Sequence, residues 1–248
     1  MCIGLGKAGK GNDGPSTRMG IALRLRELLA EMSKTPSEDS AWWKKKEAPP
    51  EAKGAEALWR DVADGKLPLI FSAQRADDVE LALDLIEEFT VSGMILGGAE
   101  AWVHAARIGA LDVPVLLGPI TVQPSSFEHL HARYDNARLL HDEGVRLAFR
   151  SGGNHTSRQL PTEVAVAVAH GLPFSAAIRG LCLTPSELFS VSPGFVVEGF
   201  EASLANCFVC DGDPLQPRNN ISRMWIRGDE VDLRTRQTEL YEEYKVLD

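Results

Sequence analysis

The fold class follows from residues 67–97, LPLIFSAQRADDVELALDLIEEFTVSGMILG. Two short apolar runs, at 67–72 and at 93–96, flank a stretch in which apolar residues such as Val79 and Leu83 recur at helical spacing. Short, continuous apolar runs are typical of strands that are buried on both faces, as in a parallel sheet. The sequence therefore predicts a strand, a helix and a second strand that form one βα unit of an α/β fold.

The same alternation continues toward the carboxyl terminus. Helices and strands are predicted in turn at 100–108, 113–117, 136–142 and 145–149. Pro161 and Gly171 then bracket a helix, in the Pro-first, Gly-last order that is favoured at helix ends. The capping box at 184–187 (TPSE) predicts the start of another helix. The chain to this point is therefore predicted to form a parallel sheet with helices between its strands.

The two ends of the chain differ from this middle part. Residues 1–15 are rich in glycine and are predicted to be a flexible loop, because no strand precedes the motif of Gly4, Gly6 and Gly9 that otherwise resembles a dinucleotide fingerprint. A helix with one apolar face follows at 21–32, and then a loop or cap at 34–54. The last part is predicted to contain short strands at 205–210 and 223–227, a turn at 228–229 and a charged helix at 234–244.

Composition excludes several classes of protein. The formal net charge is −9, which argues against a dedicated nucleic-acid binder. No apolar run approaches the ~20 residues of a membrane-spanning helix, so no membrane association is predicted. Four cysteines are too few for a disulfide framework, and the expected location is the cytoplasm. Cys207 and Cys210 are interpreted as buried cysteines on opposite faces of a strand, because no second pair of ligands completes a zinc site.

Five blocks of sequence carry a resemblance to a known family. They are 15–20 (PSTRMG), 67–78 (LPLIFSAQRADD), 97–101 (GGAEA), 113–119 (VPVLLGP) and 211–215 (DGDPL). In this order they resemble the amidohydrolase superfamily, specifically its imidazolonepropionase-related branch. The resemblance implies a (β/α)8 barrel beside a small β-sandwich, and metal-dependent hydrolysis of non-peptide C–N bonds. The expected fold is a partial TIM-like barrel, about strands five to eight, over 1–191, then a β-sandwich remnant and terminal helix over 192–248.

The resemblance also implies where metal ligands belong. Active relatives place a His at the end of strand five, a His after strand six and an Asp after strand eight. Ser72, Gly97 and Gly152 stand at these positions here. A hydroxyl group and two glycines cannot replace two imidazoles and a carboxylate around a metal. We therefore expect a degenerate or truncated member of the superfamily with no metal site of its own and no cofactor, for which Met1 enters the family pattern near the middle of the barrel.

Two alternatives remain open at this point. The first is an active hydrolase of a small or cyclic amide that binds zinc through displaced ligands, drawn from His129, His131, His141 and His155. His129 and His131 are otherwise interpreted as surface residues of a polar loop. The second is a small-molecule binding module without turnover. Its candidate pocket residues are Gln74, Arg75, Glu100, Arg150, Ser151 and His155.

An incomplete barrel also predicts a partner. A closed barrel has no edges, whereas part of a barrel has two, each with unpaired backbone groups. We therefore expect a homo-oligomer or association with a second amidohydrolase-like chain, with a small molecule as a further ligand.

Overall fold

A computed structural model describes residues 1–9, 15–33, 54–122, 126–191 and 206–245. Almost all of the predicted loop or cap at 34–54 lies outside these ranges, as does residue 205, where a strand was predicted to begin. The chain divides into two compact units, Met1–Thr184 and Pro185–Asp248. Within the described ranges, no helix is both long enough and apolar enough to cross a membrane.

The first unit alternates strands and helices. In chain order its elements are β1 (Cys2–Gly4), α1 (Arg18–Ser33), α2 (Ala55–Ala63), β2 (Leu69–Ala73), α3 (Ala76–Phe89), β3 (Gly93–Gly97), α4 (Ala105–Ala110), β4 (Val115–Leu117), α5 (Asn136–Asp142), β5 (Leu147–Phe149), α6 (Leu160–Ala169) and α7 (Phe174–Leu188), the last of which extends a few residues into the second unit. The strands form one parallel sheet in the order β1-β2-β3-β4-β5. The predicted parallel α/β architecture is confirmed.

Helices cover one face of this sheet. Phe71 and Ile95 are neighbours on adjacent strands, and both are fully buried. On α3, Val79 and Leu83 are fully buried as well. Strand β3 and α3 lie so close that a Cβ atom on Gly93 would stand 2.7 Å from the side chain of Ile86. The core therefore lies between the sheet and its helices.

The opposite face of the sheet is covered less completely. Along each strand, residues on this face alternate with residues on the face that is covered by helices. Ile70, Ser72 and Leu96 on this face are half-buried, and Cys2 is exposed. In the barrel that the resemblance implies, this face would line the interior.

The amino terminus is not a loop, contrary to the prediction from its glycines. Residues Cys2–Gly4 pair with β2 in parallel, and the α-amino group of Met1 donates a hydrogen bond to the carbonyl oxygen of Pro68 at 2.8 Å. A 3₁₀ turn follows over Gly6–Gly9. The sheet thus has one strand more than the four expected. The three residues of this strand are too few to show a periodic pattern, and it is defined by its backbone pairing with the distant β2.

The capping box at 184–187 does not begin a helix. Instead, α7 continues through Thr184 and contains Pro185 in its interior. Pro185 cannot donate a hydrogen bond to the preceding turn, but the carbonyl oxygen of Pro185 accepts from the amide of Phe189 at 3.1 Å. The prediction was wrong because tertiary packing of the helix outweighs the local capping signal.

The second unit contains a small antiparallel sheet and a helix. Its elements are β6 (Cys207–Cys210), β7 (Ile221–Ile226), β8 (Asp229–Glu230) and α8 (Arg236–Tyr244). Arg227 and Gly228 both have positive φ, which suits the tight turn between β7 and β8. The predicted strand at the cysteines is confirmed, but their predicted burial is wrong: Cys207 is exposed and Cys210 only half-buried, because the described part of this unit forms a sheet without a buried apolar face.

Candidate functional site at the carboxyl ends of the strands

The carboxyl ends of β1 to β5 lie side by side, and we call this end of the sheet the carboxyl edge. Parallel α/β folds place their ligands there. Ser72 is the penultimate residue of β2, Gly97 is the last residue of β3, and Gly152 lies in the loop after β5. The three positions implied to have lost metal ligands therefore stand at the ends of strands on the same edge.

The side chain of Gln74 occupies the space beside Gly97. Gly97 has φ +101°, and a Cβ atom there would overlap the amide group of Gln74. The Oε1 atom of Gln74 accepts a hydrogen bond from the backbone amide of Ala99 at 3.3 Å. An imidazole at this position would have to displace Gln74 and would be strained by the backbone.

Glu100 has a buried carboxylate and links the loop after β3 to the start of α3 by hydrogen bonds. It is 6% exposed, and its Oε2 atom accepts a hydrogen bond from the backbone amide of Ala76, at the start of α3, at 3.0 Å. Its own amide donates to the carbonyl oxygen of Gln74 at 2.8 Å. The carboxylate therefore serves the first turn of a helix, where negative charge is stabilising.

The remaining candidate pocket residues bond within their own loops. The Nε atom of Arg75 donates to Asp77 at 3.1 Å, and the Nε atom of Arg150 donates to the carbonyl oxygen of Ser151 at 3.2 Å. The hydroxyl group of Ser151 donates to the carbonyl oxygen of Gly153 at 3.3 Å, and His155 is exposed. The structure places these residues after β2 and β5. The hydrogen bond between Gln74 and Glu100 links the loops after two different strands, whereas Arg150 and Ser151 are bonded within one loop.

The four histidines of the zinc alternative do not all lie at this edge. His141 is in the last turn of α5, which returns the chain to the amino end of β5, and it lines a cleft there. His129 ends a 3₁₀ turn after β4. The carbonyl oxygen of His131 accepts a hydrogen bond from the indole nitrogen of Trp102 at 3.3 Å. Among the residues that the structure describes, no group of three or more His, Cys, Asp or Glu side chains could hold a metal ion.

Arg133 fixes the loop after β4, which carries His129 and His131. Its guanidinium group lies 4.8 Å from the centre of the Trp102 ring and donates to Asp135 at 2.7 Å. This ion pair lowers the pKa of the Asp135 carboxyl group. The loop after β4 is therefore held by a cation–π contact and a salt bridge.

A buried ion pair at the same edge was not predicted from the sequence. The carboxylate of Asp78 is 1% exposed, and Arg18 donates two hydrogen bonds to it at 2.7 and 3.0 Å. The same guanidinium group donates a hydrogen bond to Glu128 at 2.9 Å. The pKa of Arg18 is raised, mainly by the hydrogen bond with Asp78. Gly6 lies directly against this pair, where a Cβ atom would overlap the Asp78 carboxylate. Arg18 thus joins α1 to the first turn of α3 and to the 3₁₀ turn after β4, and the turn at Gly6 packs against the pair.

Two further side chains fix the loops after β3 and β4. The Nδ2 atom of Asn136 donates to the carbonyl oxygens of Gly98 at 2.8 Å and Ala99 at 3.2 Å. The carboxylate of Glu163 accepts from the backbone amides of Ile120 and Thr121, both at 2.7 Å. Most of the polar side chains described at this edge form hydrogen bonds with backbone groups of the protein itself.

Replacing Glu163 tests this structural role. We expect Glu163→Ala to lower the free energy of unfolding by about 1–2 kcal/mol, because two backbone amides lose a charged acceptor. Urea denaturation measures the change. The exposed Glu80 on α3 gives the matched control, and Glu80→Ala is expected to change stability by less than about 0.5 kcal/mol. Equal effects of the two substitutions would show that the Glu163 contacts contribute nothing.

Comparisons with known proteins concern the fold. No protein-family model and no curated protein matches the chain. Among solved structures, an amidohydrolase from Thermotoga maritima MSB8 is similar with a TM-score of 0.81 and 23% identity, over 94% of this chain and 62% of its own. An uncharacterized protein and a further amidohydrolase have TM-scores of 0.54 and 0.52 at 14% and 15% identity, each over 72% of this chain and 48% of theirs. The chain shares the fold of amidohydrolases and spans less than two thirds of each of these structures.

Proposed function

We propose that this chain is a degenerate relative of the metal-dependent hydrolases of non-peptide C–N bonds, related to their imidazolonepropionase-like branch. Its role is to provide part of a barrel scaffold without a metal site of its own. The observation that carries the proposal is the position of Gln74, whose amide fills the space beside Gly97 at a strand end where the family pattern calls for a ligand. The shared fold with amidohydrolases supports the relationship.

The chemistry of the strand ends supports a scaffold role. Hydrolysis of a C–N bond at neutral pH needs an activated water, which a metal bound by several protein ligands supplies in this class of enzyme. At the three substituted positions, a serine hydroxyl and two glycines offer no ligand of the required kind. The nearby carboxylate of Glu100 already accepts a hydrogen bond from the backbone at Ala76. Water activation would therefore require ligands from another segment.

Hydrolysis assays test the proposal. We expect the purified chain, supplied with zinc, to hydrolyse a panel of small and cyclic amides no faster than zinc alone. The active-hydrolase alternative is the contrary outcome: turnover that is lost in the double variant His129→Ala and His131→Ala and kept in His170→Ala. His170 is a suitable control, because its ring nitrogen is 2.8 Å from the carbonyl oxygen of Val166, at the end of α6.

A further inference from the structure

A cleft lies at the amino end of β5, at the opposite end of the strands from the carboxyl edge. It has a volume of about 350 Å³, within the range of roughly 300–1,000 Å³ that is typical of small-molecule sites. The basic side chains of His141, Arg146 and Arg179 line it, and none of the described residues that line it is acidic. In a chain with a formal net charge of −9, this local excess of positive charge attracts anions.

Two arginines border the cleft from different elements. Arg146 stands just before β5, and its Nε and Nη2 atoms donate hydrogen bonds to the carboxylate of Asp112 at 2.9 and 3.2 Å. The side chain of Asp112 is 76% exposed, so water screens this ion pair and its exchange for another anion costs little. Arg179 lines the cleft from α7. Two guanidinium groups in this arrangement suit an anion that has several oxygen atoms.

The first turn of α7 adds backbone donors. The amide of Ala177 donates to the carbonyl oxygen of Pro173 at 3.0 Å, which is the first hydrogen bond of the helix. The amides before Ala177 have no acceptor within the helix. Ser175 and Ala176 are in this turn and line the cleft. The amino end of a helix of 15 residues therefore stands at the cleft, and it favours negative charge.

The nearby end of α5 does not oppose an anion. The carbonyl oxygens of Leu140 and His141 accept hydrogen bonds from the amides of Val145 at 3.1 Å and Gly144 at 2.9 Å. The ring of His141, in the last turn of α5, can donate from its N–H group. This wall of the cleft therefore contributes a donor.

Thr184 provides a buried hydroxyl group at the same cleft. The residue is 3% exposed and lines the cleft from α7. Within the described part of the chain, its hydroxyl group forms no hydrogen bond. A buried polar group without a partner is unfavourable, and an oxygen atom of a ligand would accept from it. Thr184 therefore points independently to a ligand that carries acceptor oxygens.

The cleft also has an apolar wall. Val145 and Leu147 line it, and each is 6% exposed. A ligand that fills the cleft therefore combines an anionic group with a small apolar body. A phosphate group offers more acceptor oxygens than a carboxylate to donors that arrive from several directions.

We propose that this cleft binds a small organic phosphate monoester, with its phosphate group at Arg146, Arg179 and the first turn of α7. The inference is independent of the proposed scaffold function, because it concerns the opposite end of the strands.

Calorimetric titration with phenyl phosphate tests the site. We expect saturable one-to-one binding, which Arg146→Gln and Arg179→Gln each weaken at least about tenfold, because each removes a charged donor. Thr184→Val removes the hydroxyl group at nearly constant volume and is expected to weaken binding roughly threefold. Circular dichroism checks that the variants are folded. Arg24→Gln is the matched control, because Arg24 is an exposed arginine of α1 that pairs with Glu27 at 3.4 Å, and we expect it to leave binding unchanged.

Two further compounds test the class of ligand. Inorganic phosphate lacks the apolar body and is expected to bind at least about threefold more weakly than phenyl phosphate. Benzoate has the same ring with a carboxylate and is also expected to bind more weakly. Tighter binding of benzoate, or equal binding of inorganic phosphate, would overturn the assignment of a phosphate monoester. Absence of saturable binding of phenyl phosphate up to about 10 mM, or an equal loss of affinity in Arg24→Gln, would overturn the site itself.

Discussion

Phe71→Ala is expected to lower the free energy of unfolding by about 3–5 kcal/mol, the cost of removing a large aromatic side chain from a core. Phe71 is fully buried on β2 and pairs with Ile3 on one side and Ile95 on the other. A Cβ atom on Gly93 would stand 3.3 Å from its ring, so the surrounding strands and helix are closely packed. Collapse of neighbouring groups into the space is therefore limited, and urea denaturation will show a large shift of the midpoint.

The matched control for this substitution is Phe127→Ala. Phe127 is 79% exposed in the 3₁₀ turn after β4, so the same chemical change removes little buried surface. We expect an effect of less than about 0.5 kcal/mol. Similar losses from the two variants would contradict the placement of β2 at the centre of the core.

Asp78→Asn is expected to lower the free energy of unfolding by roughly 2–4 kcal/mol, because the substitution leaves the charge of Arg18 without its main partner. The side chain of Asp78 is 2% exposed and that of Arg18 is 28% exposed, so water screens only part of the lost interaction. Thermal and urea denaturation at neutral pH measure the effect.

The neighbouring Asp77 provides the control for the ion pair. Its side chain is 48% exposed and lies 3.8 Å from Arg18. The identical change, Asp77→Asn, is expected to cost less than about 0.5 kcal/mol. Equal losses of unfolding free energy from Asp77→Asn and Asp78→Asn would contradict this account. They would show that the total negative charge around Arg18, and not the pair with Asp78, stabilises the fold.

Local patterns in the sequence were sufficient to predict most of the first unit. The helix predicted at 136–142 has the same bounds in the structure, and the strand predicted at 93–96 is longer by one residue. Each of these elements carries its own periodic or continuous apolar pattern, and each packs as that pattern requires. The predicted strands at 67–72 and 113–117 begin too early, because β2 and β4 each start one residue after a proline.

The errors have a common physical origin in contacts between distant residues. Strand β1 is defined by its pairing with β2, which its own glycine-rich sequence does not indicate. The pair of Arg18 and Asp78 joins residues 60 positions apart, and Glu128 is 110 positions from Arg18. Charge patterns along a single chain cannot identify such partners, because the acidic residues Asp77 and Asp78 in the first turn of α3 are equally typical of a helix start without a basic partner.

The family resemblance implied where metal ligands belong, but it did not indicate which hydrogen bonds the side chains at the strand ends form. Gln74 and Glu100 were predicted as pocket residues, and both form hydrogen bonds with the backbone at the strand ends. Which backbone groups they serve depends on how the neighbouring strands are paired. The role of Asn136, which donates to the loop after β3, depends in the same way on packing of α5 against that loop.

Diffraction at the zinc absorption edge from crystals of the chain grown or soaked with zinc is the most direct test of a scaffold that cannot bind the catalytic ion alone. We expect no well-occupied zinc that is coordinated only by side chains of one copy of the chain, with Gln74 still lying beside Gly97. A fully occupied ion coordinated by His129, His131 and other side chains of the same copy would contradict this expectation and would establish a metal site of the chain's own.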